Sequence, residues 1–231
     1  IISQLALKVN LGTIQEPLYL DFNEKKENLK SVIVNGKMVV ILHEKEHLII
    51  PKEYLIKGHN LVEVYFIAGD LSLNRSDDFL YTLLVPDSAS TLFPCFDQPD
   101  IKAAYTLSIT APKGWSVLAG APLSKKIELG DFVRYQFEQS DQMSTYLFSF
   151  VAGEIKSISK NVDNFPMTLL YRENNPEKLT ESTDAIFDLH RQSVSFLEKY
   201  TQHPFPFKKM DFATIPVFQY GGMEHVGAIQ Y

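Results

Sequence analysis

The dipeptide Asn35-Gly36 separates two β-branched runs, Ser31-Val32-Ile33-Val34 and Lys37-Met38-Val39-Val40-Ile41-Leu42, and this pattern constrains the fold more than any other feature of the chain. Asparagine and glycine both tolerate positive φ, so the pair closes a tight hairpin whose twist suits antiparallel strands. Short apolar or alternating runs recur at residues 5–9, 18–22, 48–50, 61–67, 105–109, 132–137 and 146–151, with Gly58-His59-Asn60 as a further turn. Many short strands with few helical periods predict a mainly β chain, with an amino-terminal antiparallel β-sandwich or open saddle of sheets. An aromatic content of 12% suits such a core.

The pattern changes after Ser157. Residues 165–171 read as a strand, and Asn175-Pro176-Glu177 has the order of a helix start: a side-chain cap, proline in the first turn, then an acid. Leu179, Ile186, Leu189, Phe196, Leu197 and Tyr200 then form a helical stripe, ended by His203-Pro204-Phe205-Pro206. Residues 209–215 return to strand. The expected organisation is a β-sandwich domain over residues 1–158 and the incomplete start of an α/β domain over 159–231. Because the chain begins within a strand-like run, it reads as a segment of a longer protein.

Charge and composition narrow the partners. A net charge of -6 without a basic cluster argues against nucleic acid or an anionic membrane surface. No run of about 18 apolar residues is present to span a bilayer. The single cysteine, Cys95, excludes an internal disulfide.

His43-Glu44-Lys45-Glu46-His47 matches the zinc pattern HExxH letter for letter. Sharing one metal requires a helix, where residues four apart lie about 5–6 Å from each other on one face. On a strand they would be roughly 13 Å apart. Apolar runs on both sides predict a strand, a polar turn and a strand, so the motif is read as a solvated hairpin tip.

Residues 216–230 read as a strand interrupted by Gly221-Gly222, followed by Met223, Glu224 and His225. Paired glycines in an apolar run mark a bulge or the approach of another backbone. A glutamate beyond the gap can receive a cation through a charge-assisted hydrogen bond. Gly-Gly-Met-Glu-His resembles the GAMEN motif of the zinc aminopeptidases of the aminopeptidase N type. Phe93-Pro94-Cys95-Phe96-Asp97-Gln98-Pro99 resembles the FPCFDEP stretch of the same family, in the same order along the chain. The likeness is clear from about residue 74 onward.

The resemblance implies a saddle-shaped β domain followed by the opening of a thermolysin-like catalytic domain. Glu224 matches the acid that binds a peptide's free amino terminus, Gly221 and Gly222 match backbone that pairs with the substrate, and Met223 lies at the pocket for the first side chain. The family's zinc ligands, general base and transition-state tyrosine lie beyond the GAMEN-like stretch. The segment is therefore expected to hold neither metal ligands nor catalytic residues and to be inactive alone, although the parent is a zinc-dependent exopeptidase. Asp97 reads as a structural residue satisfying local backbone donors. His225 replaces the family's Asn, and Val85 stands where a Gln or Glu is usual. Those two departures leave open a second reading, a non-catalytic relative that serves as a protein-interaction scaffold.

Overall fold

The computed structural model describes residues 1–231. Its strands are β1 (Ile2–Leu11), β2 (Leu18–Asp21), β3 (Leu29–Val34), β4 (Lys37–Val39), β5 (Leu42–Glu44), β6 (His47–Ile50), β7 (Gly58–Ile67), β8 (Leu73–Arg75) and β9 (Phe79–Thr82). Next come β10 (Thr106–Pro112), β11 (Ser116–Ala119), β12 (Leu123–Leu129), β13 (Phe132–Gln139), β14 (Phe150–Gly153), β15 (Lys156–Val162) and β16 (Phe165–Tyr171). Helix α1 (Pro176–Thr201) and strands β17 (Asp211–Ala213) and β18 (Ala228–Gln230) complete the chain. Two compact units interleave: residues 1–74, 83–102 and 144–146 make the first, and 75–82, 103–143 and 147–231 the second.

The first unit contains two antiparallel sheets, ordered β1-β7-β3-β4 and β2-β6-β5. Strand β7 shows why they pack: Val62, Val64 and Phe66 alternate inward, each at most 3% exposed, while Leu61, Glu63 and Tyr65 turn away. Phe66 meets Phe22 edge to face at 5.9 Å, and Leu20, Val32, Val34, Leu48 and Ile50 fill the space around them. Asn35 and Gly36 both adopt positive φ between β3 and β4, as the sequence predicts. The second run of that hairpin is shorter than expected, because the chain leaves β4 after Val39 and enters the other sheet at Leu42.

The HExxH letters form a hairpin. Lys45 and Glu46 take positive φ at the turn, and Glu44, not His43, lies opposite His47. The rings are engaged elsewhere: His43 Nε2 is 2.8 Å from the Phe22 carbonyl, and His47 Nε2 is 3.2 Å from Asp21 Oδ1. Asp21 in turn accepts from the Asp97 backbone N–H and from Gln98 Nε2, both at 2.9 Å. Asp97 accepts from Ser90 N–H at 2.8 Å and from the Thr145 hydroxyl at 2.7 Å. The FPCFDQP stretch is thus a hydrogen-bonded corner, consistent with its structural reading. Cys95 pairs through its backbone with Asp21, and its thiol is pushed well up by burial and then by the nearby Asp97 and Asp21 carboxylates.

In the second unit, sheets β10-β13-β12 and β11-β14-β9-β8 supply a core of Ala111, Ala119, Ala121, Val133, Tyr135 and Phe137, with Trp115 packed against it. The remaining sheet, β15-β16-β17-β18, is mixed. Strands β15 and β16 are antiparallel, whereas β16, β17 and β18 run parallel. Parallel neighbours need a crossover, and α1 supplies it between β16 and β17. Asn175 caps α1 by accepting from the N–H groups of Glu177 and Lys178, with proline in the first turn.

The buried side of α1 differs from the expected stripe. Phe187, fully buried, packs with Met167, Leu169 and Phe212, and Thr183 and Val194 continue that face. Leu189, Phe196, Leu197 and Tyr200 are instead 53–77% exposed. Both sets recur with helical spacing, so periodicity alone could not tell which one the sheet would cover.

Candidate functional site

Strand β17 carries Phe212 into the core, and the chain then leaves the sheet. Its expected continuation as a strand through residues 216–222 is not formed: Pro216 and Val217 make a turn, and Val217 sits at φ 58° and 97% exposed. Proline removes a ladder donor and two glycines add none of the side-chain packing that favours a strand, which accounts for the difference. Regular pairing resumes at Met223, which exchanges both backbone hydrogen bonds with Gln230, at 2.8 and 3.1 Å. Residues 223–230 therefore form a narrow hairpin whose second arm is β18. Its tip is closed by Ala228 N–H donating to His225 C=O at 3.2 Å, with Gly227 at φ +65°.

Side chains alternate along the first arm. Met223 is 6% exposed, Glu224 is exposed, and His225 is 1% exposed. Glu224 thus points outward, without an ion pair or hydrogen bond to the rest of the chain. The two predicted glycines differ in surroundings. A Cβ on Gly221 would meet open space, whereas one on Gly222 would lie 3.0 Å from the Tyr231 ring. Neither glycine makes a backbone hydrogen bond, while those of Met223 are both taken by Gln230. Any added strand would find its free backbone groups at Gly221 and Gly222.

Two clasps hold this hairpin. At its open end, the Tyr231 hydroxyl lies 2.9 Å from His190 Nε2, and His190 Nδ1 lies 2.7 Å from the Ile186 carbonyl. A carbonyl only accepts, so Nδ1 carries the proton and Nε2 accepts from tyrosine. The imidazole also stacks on Phe212 at 4.1 Å and 3°. The helical position of His190 does not by itself reveal this stacking on a residue of β17. At the tip, a Cβ on Gly227 would lie 2.6 Å from Gly120 O, and one on Gly120 would lie 2.7 Å from Val226 O. The two backbones touch because neither residue has a side chain. Beside them Lys209 pairs with Asp211 at 2.7 Å, and burial lowers the lysine pKa more than the carboxylate restores it.

No three His, Cys, Asp or Glu side chains converge as a metal site would require, at HExxH or elsewhere. Among known proteins, residues 72–147 match the Peptidase M1 N-terminal domain. The chain is also 32% identical to leucyl aminopeptidase of Saccharolobus solfataricus over 233 aligned residues, covering 97% of this chain and 28% of that protein. The chain belongs to the M1 aminopeptidase N-type family. Other relatives of this M1 chain include aminopeptidase N of Streptomyces lividans, 32% identical over 190 residues, and human glutamyl aminopeptidase, 35% identical over 152. The first alignment covers 76% of the M1 chain and 21% of the relative, the second 63% and 15%. The M1 chain therefore spans about a quarter or less of the length of most such relatives, and corresponds to their N-terminal part.

Proposed function

We propose that this chain is the N-terminal part of a zinc-dependent aminopeptidase that releases one residue at a time from the amino end of peptides. In this reading residues 1–158 are the sandwich domain, and residues 159–231 open a thermolysin-like catalytic domain. The observation that carries the proposal is the outward, unpaired carboxylate of Glu224, set between two inward-facing neighbours and three residues from the open backbone of Gly221. A carboxylate so placed can accept from the ammonium of a peptide and fix where its first peptide bond lies. Gly221 and Gly222 have the free backbone groups to take one short stretch of peptide as an added strand. Met223, buried with its backbone engaged, would contribute by shaping the floor next to that strand.

The described residues do not fit a zinc site, because the HExxH letters are spent on a hairpin and its hydrogen bonds. Zinc and the groups that work with it would then belong to a part of the parent beyond these residues. The test is Glu224→Gln in the parent enzyme, with a peptide and its N-acetylated form as substrates. Losing a charged hydrogen bond of roughly 1.5–3 kcal/mol should lower kcat/KM for the free amine about 10- to 150-fold. Unchanged kinetics would remove Glu224 from substrate binding, and a parent without peptidase activity would favour the scaffold reading.

A further inference from the structure

Buried polar groups in the first unit are fully paired. Asn60, 3% exposed, donates to Ile56 O and Gly58 O and accepts from Ile56 N–H and Asn35 Nδ2. The hairpin that carries Glu224 is different. Both ring nitrogens of His225 and both amide atoms of Gln230 are buried without a protein partner, four of the six such side-chain atoms in the chain. Buried polar groups are seldom left unpaired, so each one calls for a physical account. A neutral imidazole leaves one donor and one acceptor unpaired, but an imidazolium would leave two donors and a full charge, a much larger penalty.

The location gives that penalty a consequence. His225 is the inward anchor next to Glu224, and its carbonyl closes the tip turn by accepting from Ala228 N–H. Withdrawing the ring from the interior would undo the alternation that sends Glu224 outward. We propose that His225 is a positioning residue for Glu224 that works only as a neutral imidazole, so that mild acid releases the hairpin and disperses the amine-binding carboxylate. The proposal rests on reading Glu224 as that carboxylate.

The charged groups around the hairpin do not offset the cost. Glu224, on the same arm, faces away. Lys209 and Asp211, from β17 and the segment before it, neutralise each other, and His190 of α1 is closed by Tyr231 and Ile186. Burial is the sole cause that holds His225 down, to about 4. With the ordinary value near 6.5, the folded hairpin binds fewer protons than an opened one between those limits. Its stability is therefore full above about pH 6.5 and falls as the pH drops toward 4.

Amide hydrogen exchange of the 231-residue chain reads this directly, with Met223 and Gln230 as reporters and Tyr135 of β13 as the reference for global unfolding. After correction for intrinsic exchange rates, the opening equilibrium at Met223 and Gln230 should rise roughly twentyfold from pH 7 to pH 5, without a matching rise at Tyr135. His225→Phe and His225→Asn should both abolish the dependence. A flat profile in the unaltered chain, an equal rise at Tyr135, or a dependence that survives in either variant would overturn the proposal. Because no peptide is used, this result is independent of the Glu224 kinetics, which test the clamp itself.

Discussion

The contact between Gly120 and Gly227 allows a quantitative test of how the candidate hairpin is held. An added Cβ at Gly120 would lie 2.7 Å from Val226 O, whereas carbon and carbonyl oxygen ordinarily approach to about 3.3–3.6 Å. Gly120→Ala must therefore push the two backbones apart by more than half an ångström, and backbone has no rotamer with which to yield. Overpacking of this kind costs about 1–3 kcal/mol. Gly227→Ala meets the same obstacle at 2.6 Å and adds left-handed φ, worth about 1–2 kcal/mol for alanine. Its total should be about 2–5 kcal/mol. Gly130→Ala isolates the φ component, since Gly130 has φ +67° with open space around it. Once one alanine has separated the strands, the second meets less resistance, so the double variant should be less destabilised than the sum by about 1 kcal/mol or more. Urea unfolding followed by fluorescence of Trp115, the only tryptophan, gives all four values. Strict additivity, or a Gly120→Ala cost below about 0.5 kcal/mol, would refute the backbone clasp.

Two other expectations follow from burial. On α1, Phe187→Ala should cost about 3–5 kcal/mol in a urea titration, and Phe196→Ala about 0.5 kcal/mol or less, because only the first ring is enclosed by Met167, Leu169 and Phe212. A reversed order would mean that the sheet covers the other face of the helix. Cys95, buried and with its thiol pKa pushed up, should resist iodoacetamide at pH 8 in the folded chain and react only in denaturant. Alkylation at equal rates in both conditions would contradict the sealed corner around Asp21 and Asp97.

What the sequence determined by itself was whatever depends on neighbours in the chain. Asn35-Gly36 specifies its hairpin because both residues accept positive φ, and Asn175-Pro176-Glu177 specifies the start of α1 because cap, fixed φ and first-turn acid all act within one turn. The refusal of HExxH as a helix rested on the same local logic, and the strand–turn–strand geometry at His43 and His47 agrees with it. Glu224 was singled out from letters alone, through the bare backbone before it and the family likeness. Tertiary structure decided everything that depends on which of two equivalent faces meets a neighbour. The periodicity of α1 fits two apolar faces, and only docking on β16 and β17 selects Phe187 over Phe196. A Cβ on Gly222 would press on the Tyr231 ring that His190 of α1 holds, and one on Gly227 would run into the backbone of Gly120, more than a hundred residues earlier. His225 reads in sequence as a polar substitution beside an acid; only the fold seals it inside without a partner, and so ties the direction of Glu224 to a proton.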